Sequence, residues 1–329
     1  MINCLNFLRN IVVIFALLVL ITACGETEQN TQGPSEGKWY DVMPRASWSN
    51  YELIDTGQNW FEVYKIAENT YAIYEPNQWQ EAISYLLIGT EKAMLVDTLQ
   101  GIGDLKAVID QLTDLPVIVM NTHSHYDHVG SNFQFDTIYG LDTAYTANNA
   151  MGHPHSDYVS SMTADTFWKN VPKSFSLDLF DSKPYQIDNF ISDGEVIELG
   201  NRGIEVVFIP GHSPDSVILV DRTNKMMMTG DSYYPAPIYV YSETASFADF
   251  FMAAQIMFQF RDEVDFLLPG HNETMQPVSY LNELRVATMS IINPATQFEQ
   301  GKGRRSYDFG NFSIIVKDPL DFGITVAPN

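Results

Sequence analysis

Thr122-His123-Ser124-His125-Tyr126-Asp127-His128 is the stretch on which the reading of this chain turns. Three of the seven histidines fall within six residues there, with an aspartate among them. Such a His-x-His-x-Asp-His pattern arises by chance in on the order of one chain in several thousand. It follows Val117-Ile118-Val119-Met120, an apolar run that reads as a buried strand ending at Asn121. A loop at a strand mouth can aim several side chains into one cavity. Alternate residues of an extended loop face the same way, so His123 and His125 are placed to share one metal ion. Asp127 and His128 stand one step on, where the chain turns, and can address a second ion beside the first.

The remaining ligands are expected at other strand mouths. Pro210-Gly211-His212-Ser213-Pro214 is a tight turn after the apolar run 204–209, Gly230-Asp231 closes a later apolar run, and Pro269-Gly270-His271 follows Phe266-Leu267-Leu268. A glycine precedes each of His212, Asp231 and His271, which lets the chain bend and approach closely. The only two cysteines, Cys4 and Cys24, lie near the N-terminus, so the body of the chain offers neither disulfide nor thiolate ligand. Any metal there must be held by imidazoles and carboxylates, a donor set that suits zinc, with iron or manganese as alternatives.

The frame around these motifs is legible as strands and helices. Runs at 60–66 and 70–74 read as strands. Ser84-Tyr85-Leu86-Leu87-Ile88 turns and returns as Ala93-Met94-Leu95-Val96 to Asp97; Ser216-Val217-Ile218-Leu219-Val220 turns and returns as Met226-Met227-Met228-Thr229-Gly230 to Asp231. Two hairpins ending on an Asp followed by Thr or Ser form a weak internal repeat. Helical patches are expected near 102–112, 141–151, 164–170, 247–258 and 278–291. Sheets alternating with helices imply an α/β (α+β) fold, two sheets packed together with helices outside. No linker interrupts residues 60–317, so this stretch reads as one domain.

The ligand motifs together resemble the metallo-β-lactamase superfamily of four-layer αββα hydrolases, over about residues 60–320. That resemblance implies that His123, His125 and His212 hold a first metal and that Asp127, His128 and His271 hold a second. It implies that Asp231 bridges both ions, while Asp97 supports the histidine loop from behind without being a ligand. Two ions about 3.5–4 Å apart would activate a water and stabilise the oxyanion formed on attack. Asp127 would orient that water as well as bind metal. The expected function is hydrolysis of a small-molecule ester, lactone or thioester. The alternatives are a β-lactamase cleaving the lactam amide and, in another class, a non-catalytic, membrane-tethered metal-binding module. Asp127 and Asp231 argue against the module, which has no need of an open, water-activating geometry.

Within that family Tyr234, three residues after Asp231, resembles a tyrosine with which lactone-cleaving members assist substrate binding; alternatively Tyr233 and Tyr234 are wall residues of the cleft. His153 and His155 read either as a substrate-side contact or as ordinary loop histidines, and Trp60 and Trp79 as a cleft lip or as packing. Glyoxalase II itself is disfavoured, because only a short tail follows His271.

At the N-terminus, residues 1–23 read as a signal peptide whose apolar run is too short to span a membrane. Ile21-Thr22-Ala23-Cys24-Gly25 resembles the lipobox of bacterial lipoproteins, which implies lipid attachment at Cys24 and an exported, membrane-anchored protein on the periplasmic or cell-surface side. Residues 24–45 read as a tether and 46–329 as the hydrolase domain. The net charge of −23 argues against nucleic acid and anionic membrane as partners and leaves a small-molecule substrate.

Overall fold

The two hairpins are present, and each is the centre of a sheet. In the computed structural model, which describes residues 38–158 and 162–320, the first sheet has eight strands in chain order. They run from Glu52–Ile54 through Glu62–Ala67, Thr70–Tyr74, Ile83–Ile88 and Ala93–Val96 to Val117–Met120, Ile138–Gly140 and Asn189–Phe190. The first five pair antiparallel and the last three join in parallel. The second sheet has six strands, with Met226–Gly230 between its hairpin partner Val217–Asp221 and the parallel strand Phe266–Pro269.

The strands that form these sheets are apolar on both faces because both faces are covered. In the first hairpin Tyr85, Leu87, Met94 and Val96 point to the second sheet, where they meet Val206, Leu219 and Met228. Leu86 and Leu95, of opposite parity, instead pack with Leu105, Val108 and Ile109 of the outer helix Leu105–Leu112. Ile218, Val220 and Met227 repeat the pattern on the far side, against Phe250 and Met257 of helix Phe247–Gln259 and Leu284 of helix Tyr280–Ile291. Helix, sheet, sheet, helix is thus the layer order. Truncating a central side chain such as Leu95, wholly buried, should cost about 2–5 kcal/mol.

The repeat extends beyond the hairpins. Ala93–Val96 is followed by helix Leu105–Leu112 and the parallel strand Val117–Met120; Met226–Gly230 is followed by helix Phe247–Gln259 and the parallel strand Phe266–Pro269. Asp97 and Asp231 occupy corresponding strand ends, so both halves open on the same rim.

Three expectations change. Residues 164–170 form only a single 3₁₀ turn, Ala164–Thr166. Beyond it the chain is extended: Phe167 bridges Gln78, and Trp168 N–H donates to Asn77 O, so pairing with the 75–80 loop overrides local helix propensity. Residues 39–45, expected as tether, pack on the domain: Trp39–Val42 is a 3₁₀ helix, and Arg45 forms an ion pair with the buried Glu81. A third, four-stranded sheet was not expected: Pro237–Val240, Ser313–Lys317, Arg304–Asp308 and Glu299–Gly301, its first pair parallel. Cys24 and the signal segment lie outside the described residues.

Candidate metal centre

Seven side chains anticipated from separate strand mouths converge in one place. The turn after Val117–Met120 presents His123 and His125, and the short helix Tyr126–Val129 presents Asp127 and His128. His123 Nε2 lies 2.9 Å from His125 Nδ1, which lies 3.0 Å from His212 Nε2. On the other side His128 Nε2 and His271 Nε2 are 3.2 Å apart, with Asp127 Oδ2 at 3.9 and 3.8 Å from them. Asp231 stands between: Oδ1 is 2.9 Å from His271 Nε2 and 3.2 Å from His128 Nε2, while Oδ2 is 3.4 Å from His212 Nε2. The donor atoms in each of the groups His123-His125-His212 and Asp127-His128-His271 lie within 4.8 Å of one another.

The partners behind these imidazoles say what the front atoms are. His212 Nδ1–H donates to Tyr239 O at 2.7 Å, and His271 Nδ1–H donates to Gln80 O at 2.7 Å. His128 Nδ1–H donates to Asp97 Oδ2 at 2.8 Å. In a neutral ring each of these bonds leaves a lone pair on Nε2, the atom that faces the centre. While the rings are neutral, as metal ligation requires, lone pairs of several imidazoles and two carboxylates cannot hydrogen-bond one another. Asp231 Oδ1, for instance, is buried without a hydrogen bond despite its two close nitrogens. A positive ion on each side of Asp231 would satisfy the set, and tetrahedral zinc–nitrogen bonds of about 2.0–2.1 Å suit neighbours about 3 Å apart. The residues fit two divalent ions.

Electrostatics divides the two sides. Burial pushes His125 and His212 down to about 4 and His123 well below the usual histidine value, so all three are neutral at neutral pH. Burial also disfavours the charged form of His128, but the carboxylates of Asp97, Asp231 and Asp127 outweigh it and hold this ring well above 6.5.

Asp97 does not face the centre. Its Oδ1 accepts from Thr122 N–H at 2.7 Å and its Oδ2 from the Thr122 hydroxyl at 2.8 Å, besides His128. It anchors the histidine loop at both ends. Glycine at 230 and 270 is required by close approach. A Cβ on Gly230, whose φ is +48°, would sit 2.5 Å from Thr122 Oγ1, and one on Gly270 would sit 2.9 Å from His128 Cε1.

Over residues 80–284 the chain matches the model of the metallo-beta-lactamase superfamily, well over half its length. The chain belongs to the metallo-beta-lactamase superfamily. It is 25% identical over 205 residues to acyl-coenzyme A thioesterase MBLAC2 of Bos taurus, spanning 58% of this chain and 72% of that one. The Gallus gallus protein of the same name is 23% identical over 240 residues, 70% of this chain and 82% of that one. Among solved structures it resembles a metallo-beta-lactamase from Pontibacter korlensis (TM-score 0.51, 17% identity, 70% of this chain, 99% of that one). It also resembles the sec-alkylsulfatase Pisa1 from Pseudomonas sp. (TM-score 0.55, 14% identity, 70% and 42%). At such identities these structures speak for the shared fold alone.

The superfamily frame leaves the other expected residues in different places. Tyr234 lines the cavity beside His271, ring centres 5.1 Å apart, but its hydroxyl donates to Pro237 O at 2.6 Å. Tyr233 is wholly buried and stacks on Tyr280, so it is a core residue. His153 lines a second cavity that opens on His125, whereas His155 donates to Phe180 O. Trp60 is packing, its indole N–H on Glu75, while Trp79 lines the cavity at His271.

Three supports were not anticipated. Gln80 serves both carboxylate and imidazole: its side-chain amide donates to Asp127 Oδ2 at 2.8 Å and its carbonyl holds His271. Tyr239, whose carbonyl orients His212, lies on the strand Pro237–Val240 of the third sheet. Asp215 is buried and accepts from the hydroxyls of Ser124, Ser213 (2.7 Å) and Thr146 (3.0 Å), joining the loops of all three histidines in the first group. The one available signal for Asp215 is its place three residues after His212.

Proposed function

We propose that this hydrolase carries two divalent metal ions, zinc foremost, and cleaves a small-molecule ester, lactone or thioester. What carries the reading is Asp231, whose two carboxylate oxygens face different groups of imidazole nitrogens. The name of the MBLAC2 relatives favours a thioester among the three bonds. His123, His125 and His212 would hold one ion and Asp127, His128 and His271 the other, with Asp231 shared. Bound there, two divalent ions would acidify a water and polarise the scissile carbonyl. Asp127, whose Oδ2 accepts from the Gln80 amide, would orient that water and take its proton. Tyr234 shapes the wall on the His271 side. Its hydroxyl would reach substrate only by leaving Pro237 O.

Metal analysis of the purified protein should find about two ions per chain. Turnover should appear within a panel of thioesters, esters, lactones and β-lactams, and Asp127→Asn should lower kcat by at least about a hundredfold. A wild-type protein with two bound ions that is no faster than Asp127→Asn on every substrate would refute the reading. Turnover of β-lactams alone would replace it with the lactamase alternative. Export and lipid attachment at Cys24 belong to the same proposal, supported by the lipobox-like sequence; mass spectrometry of the mature N-terminus tests them.

A further inference from the structure

Resting on that hydrolase reading, we infer that the site takes an uncharged substrate with an apolar or aromatic group, and disfavours a polyanionic leaving group such as a nucleotide-tailed thiol. The cavity at Asp231 and His271 holds about 270 Å³, and its walls include Trp39, Trp79, Tyr234 and Tyr239. Rings of this kind offer large, rigid, mostly apolar contact area. Among the described residues the only Lys or Arg lining it is Arg45.

That guanidinium is already engaged. Arg45 Nε donates to Glu81 Oε2 at 2.5 Å and Nη2 to Oε1 at 2.7 Å, a two-pronged ion pair. The Tyr74 hydroxyl donates to the same carboxylate at 2.6 Å, and the Glu81 side chain is only 4% exposed, so the pair is held rigidly. Glu273 adds a second negative charge in reach of Arg45. The second cavity, about 280 Å³ beyond His125, is lined by Asp157 and His153 and by no Lys or Arg. Tight phosphate recognition relies on Arg forks, Lys ammonium groups or helix N-termini presented to the ligand. Among the described residues neither cavity offers an uncommitted Arg or Lys, and a net charge of −23 surrounds them. Beyond the metal centre itself, a tail with several phosphates therefore meets acidic surroundings and no free Arg or Lys, whereas a neutral ring or alkyl chain meets four aromatic faces.

Matched thioesters of one aryl-acyl group separate the possibilities, one on neutral N-acetylcysteamine and one on coenzyme A. At low ionic strength kcat/KM should favour the neutral thioester by at least about tenfold, and the gap should narrow in 0.5 M salt as repulsion is screened. Non-hydrolysable thioether analogues, titrated by tryptophan fluorescence into the metal-loaded protein, should show the same preference in Kd. Glu81→Gln, which removes the charge that neutralises Arg45, should move both ratios toward the coenzyme A compound by at least about threefold. Equal or better use of the coenzyme A thioester by the wild type, or a preference that salt leaves unchanged, overturns the inference while the hydrolase reading stands. Should Glu81→Gln not fold, the wild-type ratios and their salt dependence still decide. Absence of turnover with the analogue preference intact would refute hydrolysis and leave this selectivity in place.

Discussion

Replacing Asp215 by alanine removes a buried carboxylate that three hydroxyls share, those of Ser124, Ser213 and Thr146. Among the described residues no Arg or Lys pairs with it, so those hydrogen bonds are what holds the carboxyl group in place. Each bond to a charged acceptor is worth about 1.5–3 kcal/mol, and the terms are not additive. The three hydroxyls can turn toward other acceptors, which recovers part of the loss. A net destabilisation of about 3–4 kcal/mol is expected for Asp215→Ala, and about 1 kcal/mol for Asp215→Asn, whose amide retains an acceptor oxygen. The functional consequence should exceed the structural one. Ser124 stands between His123 and His125, and Ser213 directly follows His212, so a loose Asp215 site loosens all three imidazoles at once. Outer-shell losses of this kind typically weaken metal binding by about 10–100-fold. Chelator competition with zinc should show that weakening at one of two sites, with stability read from the urea midpoint. Unchanged zinc affinity in an Asp215→Ala protein that has lost the expected stability would refute the positioning role and leave a purely architectural one.

Other consequences are equally direct. At the opposite end of the sandwich Arg202 pairs with Asp221 (2.6 Å) and donates to Asn69 O and Thr70 Oγ1 while 3% exposed. Asp221→Ala leaves a buried guanidinium unmatched and should cost about 3–5 kcal/mol by urea denaturation, with kcat of the folded fraction unchanged. Metal binding should be linked to protons on one side only. Without metal the carboxylates around His128 outweigh its burial and hold it well above 6.5, which favours its protonated form, whereas burial takes His125 and His212 to about 4 and leaves them neutral at pH 7. His271, on the same side, is also held above 6.5, Asp231 outweighing burial, so an ion entering that side should release protons and one entering the His125 side none. Calorimetry in buffers of different ionisation enthalpy measures this, and equal release at both sites would contradict it. Gly230→Ala combines a left-handed backbone with a Cβ 2.5 Å from Thr122 Oγ1, for a loss of about 2–4 kcal/mol in thermal stability and reduced activity.

Much of this protein is written locally. The His-x-His-x-Asp-His run, the glycines before His212, Asp231 and His271, and the two-residue alternation of the hairpins each depend on spacing along a few residues of chain. Strand and loop geometry converts such spacing into direction, so the αββα layers and the seven convergent side chains could be read before any coordinates. The 164–170 segment shows the limit of that reasoning. Its helical pattern is genuine but weak, and pairing with a loop some ninety residues earlier replaces it.

What only the tertiary structure decided lies between distant parts of the chain. Gln80 holds His271 across 191 residues, Ser124 meets Asp215 across 91, and Arg45 is neutralised by Glu81 across 36. None of these partners follows a periodic pattern or a motif, because each is a single polar group satisfied by whatever the packed layers bring opposite it. The sequence determined which atoms could bind metal. Packing determined which lone pairs face inward, whether Tyr234 is free, and whether the cavity's one guanidinium is available to a substrate. Burial makes each unpaired polar group costly, and that cost selects these long-range partners only once the core has formed.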